Sequence, residues 1–432
     1  MREALVAMTT RGRAFVAAGV TALVCAIVLG QDDLLRIGAL LAVLPVVTAF
    51  FVGRSRYRLG LVRSVSPSQV TAGNEARVQL DLTNDGRLPT GLLLLEDQVP
   101  YILGTRPRFV VDRMATGRKR SVGYRIRSDV RGKYLIGPLS VRVSDPFGMV
   151  ELRRTFSSTT PVVVVPRVIP LPVIPLSGAW TGSGDNRPRA FASGSAEDVT
   201  VREYHQGDDL RRVHWRSSAR VGELMVRREE QPWQSRATLF LDNRQLAHHG
   251  RGAASSFEHA VTVAASIAVH LVQRGFTVRL VTASGEEPEG SWHERGIGGA
   301  TAPLLESLAV VTQVERPDLD TRWLLDPGHS GLLVGVVGAV RGHDQAAFSR
   351  MRHTAATAMA VVLDVESWGS RGQGTEGEGR EAPGAARLRS QGWQAVGATP
   401  HKPLSAVWQE LGLSSGRAAR QGQTNLSVGE FL

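Results

Sequence analysis

The pattern of apolar and polar positions divides the chain into three stretches with different periods. Residues 14–30 (AFVAAGVTALVCAIVLG) and 37–53 (IGALLAVLPVVTAFFVG) are uncharged runs of 17 residues each. At about 1.5 Å per residue each reaches about 26 Å, enough for a bilayer core of about 30 Å with snorkelling ends. Leu34 and Leu35 extend the second run, so the spans are expected at about 14–30 and 34–53, joined by a tight QDDLLR hairpin. Pro45 is expected to kink the second helix, which membranes tolerate. Beyond residue 60 the pattern turns to short alternating runs, RVQLDLTN (77–84), SVGYRIRS (121–128) and PLSVRVSDPFG (138–148), broken by Asn84-Asp85-Gly86, Arg131-Gly132 and Asp145-Pro146. Alternation without a helical period predicts an antiparallel β-sandwich over residues 60–165.

The third stretch is different again. ATLFLD (237–242), TVRLVTA (277–283), GLLVGVVGA (331–339) and AMAVVLD (358–364) are near-continuous apolar runs. Between the first two, Phe257, Ala260, Val261, Ala264, Ile267, Ala268, Leu271 and Val272 recur at helical spacing, with Ser255 and Glu258 as a capping box and Gly275 as the stop. TAPLLESLAVV (301–311) reads as a second helix, and WQAV (393–396) with PLSAVWQEL (403–411) as a last strand and helix. Continuous apolar strands alternating with helices predict a mostly parallel sheet covered on both faces. The expected architecture is therefore multi-domain. A membrane hairpin (1–58) and the β-sandwich are followed by a Pro/Gly-rich connector (166–196), a polar segment (197–233) and an α/β domain (234–412). That domain carries a flexible loop at 369–388, and a disordered tail follows at 413–432.

Charge sharpens the membrane reading. The net charge is +11, with 7 basic and 3 acidic residues over 1–60, 16 and 9 over 61–160, and 28 of each over 161–432. The excess thus lies beside the apolar runs, where anionic lipid headgroups are its natural counterpart. Arg2, Arg11 and Arg13 precede the hairpin, Arg54, Arg56 and Arg58 follow it, and Asp32 and Asp33 mark its turn. By the positive-inside rule, both ends and the soluble domains face the cytoplasm of a two-span cell-membrane protein. Cys25 is the only cysteine, which excludes an intrachain disulfide and a Cys-rich zinc site.

Two places carry candidate chemistry. Asp242 closes the first apolar strand, and ligands of such sheets sit at the carboxyl ends of strands. A divalent cation needs several oxygen ligands, however, and Arg244 puts a cation where a hydroxyl would be wanted. Asp242 is a residual metal candidate only, and no cofactor is expected. His248-His249 reads as a solvated pair. The other place is VREYHQGDDLRRVHWRSSARVGELMVRREE (201–230). In an enzyme, His205 and His214 would be general bases, but only Ser217 and Ser218 are nearby and neither lies in an elbow or phosphate-loop context. Residues 197–230 hold 7 basic and 8 acidic groups, which removes the net positive surface that nucleic acid requires. The structural alternative is a folded seam. In it Asp208 or Asp209 caps a helix beginning near Leu210, Val213 points inward and Trp215 packs at the domain seam. Arg220-Val221-Gly222 is a turn, ELMVRRE a strand, and the arginines pair with Glu203, Asp208 and Glu223.

This segment resembles the signature of the domain of unknown function 58 family. The family's R-E-Y-x-x-G-D, R-x-(I/V)-x-W and A-R-x-G-x-L elements fall on Arg202, Glu203, Tyr204, Gly207 and Asp208, then Arg211, Val213 and Trp215, then Ala219, Arg220, Gly222 and Leu224. RGKYLIGPLSVRVSDPFGMVELRR (131–154) is similar to its upstream RG-x-Y-x-x-GP…DPFG segment. The resemblance implies a membrane hairpin, a β-sandwich and a von Willebrand A-like domain over 234–412. It also implies a partner, a MoxR-type AAA+ ATPase, in assembly or cell-envelope work. Von Willebrand A domains hold metal with D-x-S-x-S after the first strand. Here the run is Asp242-Asn243-Arg244-Gln245-Leu246, so the aspartate is kept and both serines are missing. The resemblance carries over no catalytic residue. It points to a non-catalytic protein-interaction module, with a hydrolase or metal-dependent enzyme using residues 201–230 as the alternative and a nucleic-acid binder less favoured still.

Overall fold

A computed structural model of the chain describes residues 8–54, 59–86, 89–144, 147–176, 200–204, 213, 215–228, 236–285, 292–293, 301–325, 331–368 and 382–414. The chain divides into two compact units, Met1–Arg167 with Leu305–Val311, and Val168–Leu304 with Thr312–Leu432.

The first unit begins with helices α1 (Thr10–Leu29) and α2 (Asp32–Arg54). Both are long and apolar enough to cross a bilayer, with mean hydropathy of 2.1 over Thr10–Leu29 and 1.9 over Asp32–Phe50. Thr9 caps α1 by accepting from the Gly12 amide, and Gly30 ends it in the left-handed conformation at φ 63°. Glycine also sets how closely the helices approach. A Cβ on Gly19 would lie 2.6 Å from the Ala42 amide nitrogen, and one on Gly38 would lie 2.9 Å from that of Leu23. Small residues at such crossings supply the van der Waals packing that stands in for hydrophobic drive within lipid.

The β-strands of this unit form three sheets. They are β1 (Leu59–Ser66), β3 (Glu75–Asn84) and β6 (Lys119–Arg127); β2 (Gln69–Thr71), β10 (Thr160–Val165) and β7 (Gly132–Ile136); and β5 (Arg108–Val111), β4 (Leu92–Asp97), β8 (Leu139–Ser144) and β9 (Glu151–Phe156), each in that hydrogen-bonded order. All pairings are antiparallel except β2 with β10. The period-two pattern puts Val78, Leu80 and Leu82 of β3 inside, Leu80 and Leu82 in one cluster with Leu93, Leu95, Val141 and Val143, and Val78 in another with Ile136, Val162 and Val164. Asn84-Asp85-Gly86 does turn, with the Gly86 amide on Asn84 Oδ1 at 3.1 Å. It does not close a hairpin, because the next strand, β4, pairs with β5 and β8 in the opposite sheet.

The second unit is built on a six-stranded sheet ordered β15 (Trp292–His293), β14 (Thr277–Thr282), β13 (Arg236–Leu241), β16 (Leu332–Val337), β17 (Thr357–Leu363) and β18 (Gln394–Ala398). Five strands are parallel, and the two-residue β15 is an antiparallel edge. Numbered within the sheet the order is 3-2-1-4-5-6, a doubly wound arrangement whose strand order reverses between β13 and β16. Helix α4 (Ser256–Gln273) starts where the capping box predicts, with the Glu258 amide on Ser255 Oγ at 3.3 Å. The run 301–311 forms helix α5 (Ala302–Val310) as its pattern predicts. Two helices escape the hydrophobic pattern. In α6 (Gln345–Thr354) only Ala347, Phe348 and Met351 are buried, and α7 (Pro383–Ser390) lies partly inside the stretch expected to be a flexible loop. A last helix covers 404–414 and so takes in the first two residues of the expected tail. The proline-rich segment is also more than a connector. Its described part packs on this unit, with Ile174 buried beside Gly412 and the Ile169 amide on Ser266 Oγ at 2.9 Å.

Candidate functional site at the sheet switch point

A doubly wound sheet leaves its crevice where the strand order reverses, outside the carboxyl ends of the strands. In this unit that place follows β13 and β16, and the chain fills it with its own charges. Asp242 leaves β13, and its amide completes the ladder to Val336 O at 2.9 Å. Two residues on, Arg244 turns back. Its Nε and Nη2 donate to Asp242 Oδ1 and Oδ2, both at 2.9 Å. Nη1 and Nη2 donate to Asp344 Oδ1 and Oδ2 at 2.6 and 3.3 Å, and Nη1 also reaches Pro317 O at 2.8 Å. Asp344 comes from the loop after β16, at the start of α6, and also accepts the Arg341 amide at 2.9 Å. All three side chains are buried, at 3% exposure or less. Burial by itself would lower the pKa of the guanidinium, but the hydrogen bonds and charges of Asp242, then of Asp344, outweigh it and raise it.

The neighbouring polar groups brace this cluster. Asn243 Oδ1 accepts the Ala283 amide at 3.1 Å and Nδ2 donates to Thr312 O at 2.8 Å, tying the ends of β13 and β14 to the following loop. His248 is buried rather than solvated, whereas His249 is exposed as expected. A carbonyl can only accept, so His248 Nε2 carries the proton and donates to Asp242 O at 2.6 Å. Nδ1 then accepts from Ser256 Oγ at 3.2 Å. This Ser–His pair is not a nucleophile and base. Ser256 is fully buried, and its oxygen already accepts the His249 amide at 2.9 Å. Burial lowers the pKa of His248 against the opposing pull of Asp242, so the ring stays neutral and serves as a brace.

The donor set at Asp242 does not fit a metal. Both of its carboxylate oxygens are engaged by Arg244, and position 246 of the von Willebrand A pattern is an exposed leucine. Among the described residues no group of three or more His, Cys, Asp or Glu side chains converges as metal ligands.

The signature segment is placed in part. Gly207, Asp208 and Arg211 lie outside the described residues, as do His205 and His214. Arg202 and Glu203 lie on β11 (Thr200–Glu203), antiparallel to β12 (Met225–Arg228), and the Tyr204 amide donates to Leu224 O at 2.8 Å. Val213 is buried and bridges to Val226. Between the strands stands α3 (Trp215–Val221), which begins later than the segment predicts, takes in Arg220 and Val221 of the expected turn, and is ended by Gly222 at φ 83°. Ser218 Oγ accepts the Met225 amide at 2.9 Å and so holds the turn into β12. Trp215 does not pack into a seam: it is 69% exposed, with Val221 and Leu224 also exposed near it. Arg220 is exposed and, among the described residues, makes no ion pair.

Residues 200–295 match the model of the family described as Protein of unknown function DUF58. This chain carries a DUF58 segment. The segment spans the β11–α3–β12 signature together with β13, α4 and β14, and so contains Asp242, Arg244, His248 and Ser256, while Asp344 lies beyond it. No curated protein matches the chain. Among solved structures, the ApaA protein from Bordetella pertussis is 10% identical, over 25% of this chain and 94% of that one, at a TM-score of 0.20. The CARDB domain of the PF1109 protein from Pyrococcus furiosus, in complex with di-metal ions, is 17% identical over 25% and 96%, also at 0.20. The complex of zinc 2-glycoprotein and prolactin inducible protein from human seminal plasma is 9% identical over 26% and 97%, again at 0.20. At that level the likenesses carry no conclusion about this chain.

Proposed function

We propose that the DUF58 chain is a membrane-anchored, non-catalytic protein-interaction module with its soluble units on the cytoplasmic side. Its partner would be an AAA+ ATPase of the MoxR type, as the family resemblance implies, and its second unit a von Willebrand A-like domain whose partner binding needs no metal. The observation that carries this reading is the arginine clamp: the crevice where a doubly wound sheet takes its ligand holds Arg244 between Asp242 and Asp344. A hydrolase reading is weakened, since Ser218 Oγ serves the turn into β12 by accepting the Met225 amide, and the serine that does meet a histidine, Ser256, is fully buried. An interaction reading is supported by the surface of α3. Trp215 and Val221 stand exposed there beside Arg216 and Arg220, an i,i+4 pair of like charges that costs a few tenths of a kcal/mol unless acidic groups face it. Exposed Trp flanked by Arg is the composition of interface hot spots.

The test is to purify the full chain from its native membranes in detergent and identify what accompanies it, then to repeat with Trp215→Ala. Co-purification of an AAA+ ATPase, lost in the variant at unchanged melting temperature, is the expected result. A bound nucleotide, metal or RNA in place of a protein partner would overturn the reading.

A further inference from the structure

The DPFG element of the first unit has a place in the fold that the proposed function does not use. Its described residues, Phe147 and Gly148, begin a turn that runs through Met149 to Val150 and is welded to the helical hairpin. The Thr9 amide donates to Met149 O at 2.9 Å, Thr9 Oγ1 donates to Gly148 O at 2.7 Å, and Met8 bridges to Val150. Met149 and Val150 are buried against Ala49, with Met8, Leu44 and Leu152 around them. The fit requires glycine at position 12, where a Cβ would lie 2.4 Å from Met149 O.

This weld fixes the depth of the turn. The first apolar run begins at Ala14, five residues after Thr9, a rise of about 7.5 Å along a helix. The headgroup layer, the difference between a bilayer of about 40–45 Å and a hydrocarbon core of about 30 Å, is about 5–8 Å per leaflet. On the other helix the buried contact is Ala49, five residues before Arg54 and so at a matching rise of about 7.5 Å, with Leu44 packing from deeper in the run. A turn held by these residues lies at the level of the headgroups. At that level Phe147 is 57% exposed, and the exposed Arg11 and Arg13 stand on the first turn of α1, Arg11 beside Gly148.

We propose that the Phe147–Val150 turn is a membrane contact of the β-sandwich itself. Phe147 enters the boundary between headgroups and acyl chains of the leaflet into which the hairpin runs, and Arg11 and Arg13 face anionic lipid phosphates. Aromatic side chains favour that boundary, and basic ones favour its phosphates. The sandwich is thereby seated on the bilayer rather than tethered at a distance. The proposal rests on the membrane-anchored reading above, and its test separates the two.

The full chain is reconstituted in vesicles of phosphatidylcholine and phosphatidylglycerol, with a polarity-sensitive fluorophore on one cysteine at a time. The three positions are native Cys25 within α1, Phe147→Cys, and Tyr101→Cys, the last two in a Cys25→Ser background. Tyr101 is 95% exposed and follows the Asp97 end of β4, while Phe147 follows the Ser144 end of β8. Since Leu92 pairs with Ser144 and Asp97 with Leu139, the two positions lie at opposite ends of the sandwich, about 17 Å or more apart along the strands. The Cys25 label is expected to emit as in hydrocarbon and be quenched by deep nitroxide lipids. The label at 147 is expected to be blue-shifted, quenched by headgroup-level nitroxides and shielded from iodide, and the label at 101 to emit as in water. If the 147 label behaves like the 101 label while Cys25 reads lipid, the inference fails and the anchor stands. If Cys25 itself reads water, the anchored reading fails and the inference with it.

Discussion

Arg63 in the β-sandwich and Arg244 in the α/β unit are both buried against carboxylates, but the charges around them differ in number. Arg63 meets one acid. Its Nη2 and Nε donate to Asp97 Oδ1 and Oδ2 at 2.7 and 3.2 Å, and Nη1 goes to Ile136 O and Ser158 O at 3.2 and 2.8 Å. The hydroxyl of Tyr124 adds a neutral donor to Asp97 Oδ2 at 2.7 Å. That cluster is electrically closed and joins β1, β4 and β6, so it holds strands together. Arg244 meets two acids, Asp242 and Asp344, with His343 Nε2 3.4 Å from Asp344 Oδ1 at the edge of the site. It lies where the strand order of a sheet reverses, the place such folds give to ligands. The first arginine fastens a sandwich. The second stands as a built-in cation in a ligand crevice, and its removal would leave two carboxylates facing one another.

The comparison can be broken by mutation, because the chain supplies its own reporter. All eight tryptophans lie at or beyond residue 180, so tryptophan fluorescence follows the second unit alone. The largest effect is expected from Arg244→Ala. Losing one partner of a buried ion pair costs about 3–5 kcal/mol, and here two anions lose it. The fluorescence-detected melting of the detergent-solubilised chain should fall sharply. Arg63→Ala should sit at the lower end of the same range, since Asp97 keeps the Tyr124 hydroxyl. Its loss should appear in far-ultraviolet circular dichroism and leave the tryptophan transition in place. A fluorescence midpoint lowered as much by Arg63→Ala as by Arg244→Ala would erase the distinction. Tyr124→Phe removes one hydrogen bond to a charged acceptor, about 1.5–3 kcal/mol. Burial, and then Asp97, hold the Tyr124 pKa above the usual phenol value, so this bond is expected to persist through alkaline conditions that ionise an exposed tyrosine.

The units should also part with pH. All eleven histidines lie beyond residue 200. Burial holds His248, His259 and His270 below the ordinary value of 6.5. A depressed histidine binds its proton more readily when unfolded. Its contribution is therefore intact above 6.5 and is lost as pH falls from 6.5 toward the folded-state value. The tryptophan-detected midpoint is expected to drop between pH 7 and pH 5, while the β-sandwich, which has no histidine, holds. A midpoint flat across that window would show that these rings titrate normally in the folded chain.

What was legible in the sequence follows how local each signal is. The strands β13, β14, β16 and β17 are runs of Val, Leu and Ala that need no partner to be read, and α4 announces itself through Ser255 and Glu258. Helix α6 is hidden because it buries only Ala347, Phe348 and Met351 among polar neighbours. The candidate site was half legible. Arg244 could be recognised as a misfit in a metal pattern from its distance to Asp242 alone. Asp344 could not, because it lies 100 residues away and meets Arg244 only once β13 and β16 are side by side. His248 and His249 are adjacent in sequence and opposite in burial, which only the packing of the loop on Ser256 decides. Trp215 failed in the other direction, as an aromatic expected in a seam that stands on the surface.

The central claim is that Arg244 stands where a divalent cation would be held, and titration with magnesium or manganese tests it most directly. Wild-type chain should show no change in its tryptophan-detected melting with added Mg²⁺, Mn²⁺ or chelator. Arg244→Ala, with Asp242 and Asp344 released, should melt lower and be partly restored by either metal. Metal-dependent stabilisation of the wild-type chain, abolished by Asp242→Asn, would contradict the account.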